Sequence, residues 1–248
     1  MGPFVALYGA AAYAVFFATF VYAAGFVGNL VVPKSIDVGV PLGAASEPVA
    51  VSVLVNMALL SLFAVQHSGM ARPAFKRWWT RFVPASVERS TFVLASSAVL
   101  GLVFWQWHSL PQLVWHVESA VARAGLWGVS LFGWLLVLAS SFTIDHFALF
   151  GLRQTWRNGQ GAGGKEEPFV IRAMYRIVRH PLMLGFLIAF WVTPQMTVGH
   201  LLFAVVVTGY IIVAVRFLEE RDLIAVHGDT YRDYQRQVPM LLPGRRRR

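Results

Sequence analysis

The chain has 248 residues, of which 57% are hydrophobic and only 13% charged, the inverse of a soluble domain's balance. It contains no cysteine, which excludes disulfides, thiolate metal sites and a cysteine nucleophile. The net charge of +9 is what cytoplasmic loops facing anionic lipid produce, so it gives no independent case for a nucleic-acid partner.

Six apolar segments follow one another: Phe4–Val32, Val49–Gln66, Thr91–Trp107, Leu126–Ile144, Leu182–Thr193 and Val198–Phe217. Most approach the roughly 20 residues that span a hydrocarbon core. The first is an uncharged run with no basic region before it, so it reads as a transmembrane helix and not as a cleavable signal. The fifth is short and stops at Pro194, which suggests that segments five and six form a tight helical hairpin. The fold class expected is an all-α integral membrane protein with about five to six transmembrane helices. Residues 1–145 would form the N-terminal membrane helices, and residues 146–248 a cytoplasm-facing, cofactor-binding catalytic region.

The basic residues set an orientation. All but Lys34 and Arg123 of the 21 Lys and Arg residues fall between segments two and three, between four and five, or from the last turn of six onward. The positive-inside rule then puts both termini in the cytoplasm, as in a bacterial inner membrane. The outer loops, 33–48 and 108–124, are too short for an external catalytic domain. Trp105, Trp107, Trp115 and Trp127 sit where an interfacial aromatic belt is expected. There is no internal repeat of the kind that builds transporters.

Several motifs have ordinary readings. The run Gly159–Gly164 lacks the strand before it and the helix after it that a dinucleotide loop needs, so it reads as a linker. The histidines are not spaced in pairs along one helix, and no metal site is expected. Asp145-His146 reads as a polar pair at a helix end. Gln66-His67, at the end of segment two, is a candidate pocket lining.

The C-terminal third is denser. In Tyr175-x-x-x-Arg179-His180-Pro181, the proline suits the first turn of a helix, which leaves His180 at the N-cap beside free N–H groups. Arg216, Glu219 and Glu220 close segment six at spacings of three and four, which on an ordinary helix puts them on one face. Charges this close to a span are costly unless paired or functional. A hairpin of segments five and six returns His180 and the two glutamates to one membrane face. Gly228 is expected to end one helix, with Tyr231 and Tyr234 beginning another. The last four arginines read as a tail facing anionic headgroups.

The pattern Tyr-x-x-x-Arg-His-Pro, then Glu-Glu-x-x-Leu, then Gly-x-x-Tyr-x-x-Tyr-x-x-x-Val-Pro resembles the isoprenylcysteine carboxyl methyltransferase superfamily of membrane enzymes. Upstream, Gln66-His-Ser-Gly-Met-Ala-Arg-Pro-x-Phe-Lys76, Glu88-Arg-Ser-Thr91 and Phe104-Trp-Gln-Trp107 resemble its NnrU-like and methanethiol S-methyltransferase branch. The resemblance implies S-adenosyl-L-methionine as methyl donor and a small thiol, methanethiol giving dimethyl sulfide, as substrate. It implies donor contacts from Phe169, Val170, Tyr175, His180, Pro181, Glu219 and Glu220. His67, His180 and Arg216 would serve the chemistry, with Gln66, Arg216 and Met183 on the substrate side. The chain departs from the superfamily at Met183, where tyrosine is common, and at Glu167-Pro-Phe-Val, where a His-x-Leu-Val stretch is common. Two other functions share parts of the pattern: an NnrU-like accessory protein of nitrogen-oxide metabolism, and an NADPH-dependent membrane reductase. No obligate protein partner is inferred.

Overall fold

The computed structural model describes residues 2–39, 47–156, 171 and 173–244. The Gly159–Gly164 run, the Glu167–Val170 stretch with Phe169 and Val170, Arg172 and the last four arginines lie outside the described residues.

The long apolar runs become helices because a helix satisfies every backbone N–H and C=O within itself, which hydrocarbon requires. They are α1 (Pro3–Gly28), α2 (Val49–Ala71), α4 (Glu88–Gln106), α5 (Ala120–Ile144), α8 (Pro181–Trp191) and α9 (Val198–Ala214). Shorter helices α3 (Pro73–Trp79), α6 (His146–Leu149) and α7 (Leu152–Trp156) lie between them, with two short strands, Leu113–His116 and Gln195–Thr197. A π turn over Val215–Glu219 continues α9 into α10 (Glu220–Gln237).

Among the described residues, four helices are long and apolar enough to cross a membrane: α1, α2, α5 and the one that begins at Val198. The protein is an all-α integral membrane protein. The third predicted segment forms α4, whose 19 residues include Glu88, Arg89 and four Ser or Thr residues that dilute its apolarity. The fifth forms α8, whose 11 residues reach only about 16 Å, roughly half of a hydrocarbon core.

The chain divides into two compact units. The first comprises Met1–Val114, Asp145–Lys165 and Thr197–His200. In it α4 packs against both α1 and α2. Phe26 and Phe104 meet at 4.7 Å, and Phe16 stacks on Phe150 at 3.8 Å. Gly9 is required where α1 passes α7, since a Cβ there would lie 2.2 Å from the Thr155 hydroxyl. The Asp145-His146 pair is structural. Asp145 caps α6 by accepting from the Ala148 N–H and pairs with Arg153, while buried His146 shares a 2.8 Å hydrogen bond with the Tyr13 hydroxyl. Asn56, buried in α2, exchanges two hydrogen bonds with the backbone of His108, so its amide is satisfied.

The second unit comprises Trp115–Ile144, Glu166–Met196 and Leu201–Arg248. Its α5 and α8 are in close backbone contact at Gly133 and Gly185, where small residues let two helices approach as membrane helices often do. Phe190 then packs edge-on against Trp134 of α5 and Phe203 of α9, and the Trp191 indole donates to the Thr208 hydroxyl at 2.8 Å. Helices α8 and α9 thus form the expected hairpin. The two halves of α10 meet at Gly228, whose φ of 56° and ψ of −129° suit glycine alone. A Cβ there would touch nothing within 4 Å, so Gly228→Ala carries only backbone strain. It is expected to destabilise the protein by about 1–3 kcal/mol, measurable by denaturation in detergent micelles.

Candidate active site

The site grows from the mouth of the α8–α9 hairpin. Pro181 occupies the first turn of α8, and His180 is its N-cap, with no side-chain cap bond of its own. The ring of His180 therefore points to other partners. Its Nδ1 lies 3.5 Å from Glu219 Oε1 and its Nε2 lies 3.2 Å from Glu220 Oε1. His180 and Glu220 are buried, whereas the Glu219 side chain is 46% exposed.

The π turn explains why two consecutive glutamates both reach one histidine. It inserts an extra residue into the helical ladder, so that the Glu220 N–H donates to the Val215 carbonyl. Spacings of three and four put Arg216 on the glutamates' face only in an ordinary helix. In the wider turn Arg216 is exposed, with its guanidinium 5.9 Å from the Phe217 ring. The structure thus brings His180, Glu219 and Glu220 together and gives Arg216 a different neighbour.

Glu220 is more fully occupied than the sequence suggests. Arg179 Nε donates to its Oε1 at 2.7 Å, and the Gln235 amide donates to its Oε2 at 3.0 Å. Arg179 and Gln235 are site residues that the sequence reading passed over. The one available signal was the adjacency of Arg179 to His180, and of Gln235 to the buried Tyr231 and Tyr234.

Around this core, Tyr234 donates its hydroxyl proton to the Tyr175 carbonyl at 2.6 Å. Tyr231, Tyr234 and Val238 form a buried cluster against Ile171, Leu223 and Ile224. Burial and the charge of Glu219 push the Tyr175 hydroxyl well above its ordinary range, so it stays a neutral donor. Met183 packs against Ile211, Val215 and Leu241. A cleft of about 300 Å³ opens beside Val238, lined by Ile171, Arg176, Gln237 and Val238, at the small end of ligand-sized sites.

Burial alone would lower the proton affinity of His180. The hydrogen bonds to Glu219 and Glu220, with their charges, outweigh it and lift the group to about 9. His180 is then an imidazolium at neutral pH, with both ring N–H groups directed at carboxylates. A group raised from 6.5 to about 9 stabilises the fold fully below its unfolded value and loses that contribution as pH rises through 9. Thermal melting in detergent from about pH 6 to pH 10 should show that loss, and His180→Gln should lack it.

Gln66 and His67 belong to the first unit, on α2. The His67 ring stacks on Phe63 at 5.3 Å and its Nδ1 lies 3.3 Å from the Ser96 hydroxyl. The Gln66 amide N–H donates to Met70 Sδ at 3.1 Å and to the same hydroxyl at 3.3 Å, while its carbonyl oxygen is buried with no hydrogen-bond partner among the described residues.

A short hairpin with a histidine–carboxylate centre at its mouth, set in a bundle of apolar helices, defines a membrane protein with a polar site at one helix end. The chain belongs to the NnrU protein family, which matches residues 55–241. It is 54% identical over 237 residues to a methanethiol S-methyltransferase of Mycobacterium tuberculosis, covering 96% of this chain and 95% of that protein. It is 56% identical over 239 residues to methanethiol S-methyltransferase 2 of Bradyrhizobium diazoefficiens, covering 96% and 90%. A methanethiol S-methyltransferase of Crocosphaera subtropica is 48% identical over 240 residues, covering 97% and 92%. No solved structure gives a significant match to the chain.

Proposed function

We propose that the protein is a membrane S-methyltransferase that uses S-adenosyl-L-methionine to convert methanethiol to dimethyl sulfide, with its catalytic region in residues 146–248. The observation that carries this reading is the near full-length identity to three proteins bearing that activity in their names. The residues of the hairpin mouth suit the donor. Glu219 is a half-exposed carboxylate fit to receive an ammonium group or a pair of ribose hydroxyls. Tyr175 offers a neutral hydroxyl, and the cleft beside Val238 joins an apolar wall to the polar groups of Arg176 and Gln237.

In this reading Phe169, Val170, Tyr175, His180, Pro181 and Glu219 form the donor pocket, and Glu220 holds His180 in place. S-adenosyl-L-methionine, when bound, supplies a methyl group on a sulfonium, ready for in-line displacement by sulfur. The protein's task is to hold the thiol in line and let it lose its proton, and alignment alone lowers such barriers substantially. Protonated His180 does not accept that proton. Exposed Arg216 and Met183 border the thiol's approach, and Gln66 and His67, which lie in the first unit, keep the roles the resemblance implies. The membrane is a bacterial inner membrane with both termini cytoplasmic, where the basic loops meet anionic headgroups.

The test uses the purified full chain in detergent. Calorimetric titration is expected to show binding of S-adenosyl-L-methionine and none of NADPH. Headspace analysis after adding methanethiol is expected to show dimethyl sulfide. Donor binding without volatile product would remove methanethiol as substrate, and absence of donor binding would remove the methyltransferase reading altogether.

A further inference from the structure

Arg179 makes more connections than any ordinary capping residue. Its side chain is only 10% exposed. Its Nε donates to Glu220 Oε1 at 2.7 Å, and its Nη1 donates to the carbonyls of Gln235, at 3.0 Å, and of Val238. Its own backbone N–H donates to the Pro239 carbonyl at 2.9 Å, and the next N–H, that of His180, to the Met240 carbonyl at 3.1 Å. One residue thus ties together the approach to α8, the start of α10 and the chain that leaves α10.

The chemistry fits arginine and no other side chain. A guanidinium is a rigid planar fork of five donors that stays charged, so it can meet a carboxylate and two carbonyls at once. The carbonyls at the end of α10 have no partners within the helix, and a cation beside them is favoured by the helix dipole. A lysine ammonium has the charge without the fork.

A purely structural clamp would end there. Here Glu220 Oε1 is shared, lying 2.7 Å from Arg179 Nε and 3.2 Å from His180 Nε2. Whatever moves Arg179 therefore moves the carboxylate that holds the ring of His180. The paired backbone of Pro239 and Met240 also fixes the height at which His180 is presented.

We propose that Arg179 is the positioning residue of this site, and that it acts by fastening the segment Val238–Met240 beneath His180 while dividing Glu220 between itself and the histidine. The proposal deepens the donor-binding reading and rests on it. Among the described residues, the charges that act on His180 are Glu219 and Glu220 at the junction of α9 and α10, Arg179 shares Glu220 with it, and Tyr175, Tyr231 and Tyr234 lie beside these charges. Removing the guanidinium takes away a positive charge and leaves Oε1 wholly to His180, so the histidine holds its proton to higher pH.

The test compares the parent chain with Arg179→Gln and Arg179→Lys, all full-length in detergent. Arg179→Gln is expected to weaken S-adenosyl-L-methionine binding about tenfold or more. It should also move the alkaline loss of thermal stability to higher pH, which a merely structural defect would not do. Arg179→Lys retains the charge and should keep the parent's pH midpoint. Without the fork, it should still bind the donor weakly and let the amides of Arg179 and His180 exchange faster with solvent. A glutamine variant that binds as tightly as the parent, or one whose stability falls at every pH with an unchanged midpoint, would overturn the proposal. A parent chain that binds no S-adenosyl-L-methionine overturns the proposed function instead, and the pH midpoint of Arg179→Gln still decides the role of Arg179.

Discussion

Glu220→Ala is expected to destabilise the protein by about 3–5 kcal/mol, because it strips the partner from two buried cations at once. Arg179 donates to this carboxylate at 2.7 Å and His180 lies 3.2 Å from it, and Glu220 itself is 7% exposed. The Gln235 amide loses its acceptor as well. Glu220→Gln keeps the shape and a carbonyl acceptor, so it should fold better than the alanine variant while still losing the charge that holds His180 protonated. Glu219→Ala provides the contrast. Its side chain is half-exposed and 3.5 Å from His180, so its loss should lower the melting temperature much less than the loss of Glu220 does, while weakening donor binding. Thermal melting in detergent, set beside calorimetric titration of the donor, separates the two glutamates. Equal effects of the two alanine variants on stability would refute the distinct roles assigned here.

Gly185→Leu is expected to leave little folded protein. A single Cβ on Gly185 would already stand 2.7 Å from the Gly133 carbonyl oxygen and 2.9 Å from the Val137 backbone nitrogen. These neighbours are backbone, so no rotamer change relieves the contact and α5 and α8 must separate. Separation would open the edge-on packing of Trp134 on Phe186 and Phe190. It would also tilt the helix whose first turn carries His180. The effect should exceed the roughly 1–3 kcal/mol of an ordinary overpacked core. Gly185→Ala should be milder but measurable, and Gly101→Ala, where a Cβ meets nothing within 4 Å, serves as the control. Size-exclusion behaviour and melting temperature of the three variants check the ordering.

The fold was legible in the sequence because hydrocarbon is a demanding solvent. Only long uninterrupted apolar runs survive in it, so α1, α2, α5 and α9 appear as composition before any propensity is weighed. Pro194 marked the shortness of α8, and Pro181 marked where it begins. Gly228 divides α10 as expected, since no other residue suits that backbone. The meeting of His180 with Glu219 and Glu220, some 40 residues away, followed from the hairpin.

The rest depended on geometry that spacing does not encode. Nothing local distinguishes Val215–Glu219 from an ordinary helical turn, so a rule of three and four placed Arg216 with the carboxylates when the π turn turns it outward. Arg179 looked like one more basic residue near a membrane face. Its partners are the carbonyls of Gln235 and Val238, more than fifty residues on, and only the path of the chain brings them near. The tyrosines of α10 were expected only to begin a helix, and their burial against Ile171, Leu223 and Ile224 is a packing that spacing alone does not encode.

The π turn also sets where the helix tolerates a change of length. It carries one residue more than the α turn it replaces, so a chain one residue shorter between Val215 and Glu219 could close into regular helix with the later side chains facing nearly as they do now. A residue removed from the regular part of α9 would instead swing every later side chain through about 100°. Glu220 would then leave Arg179 and His180, and the tyrosine face of α10 would turn from its core.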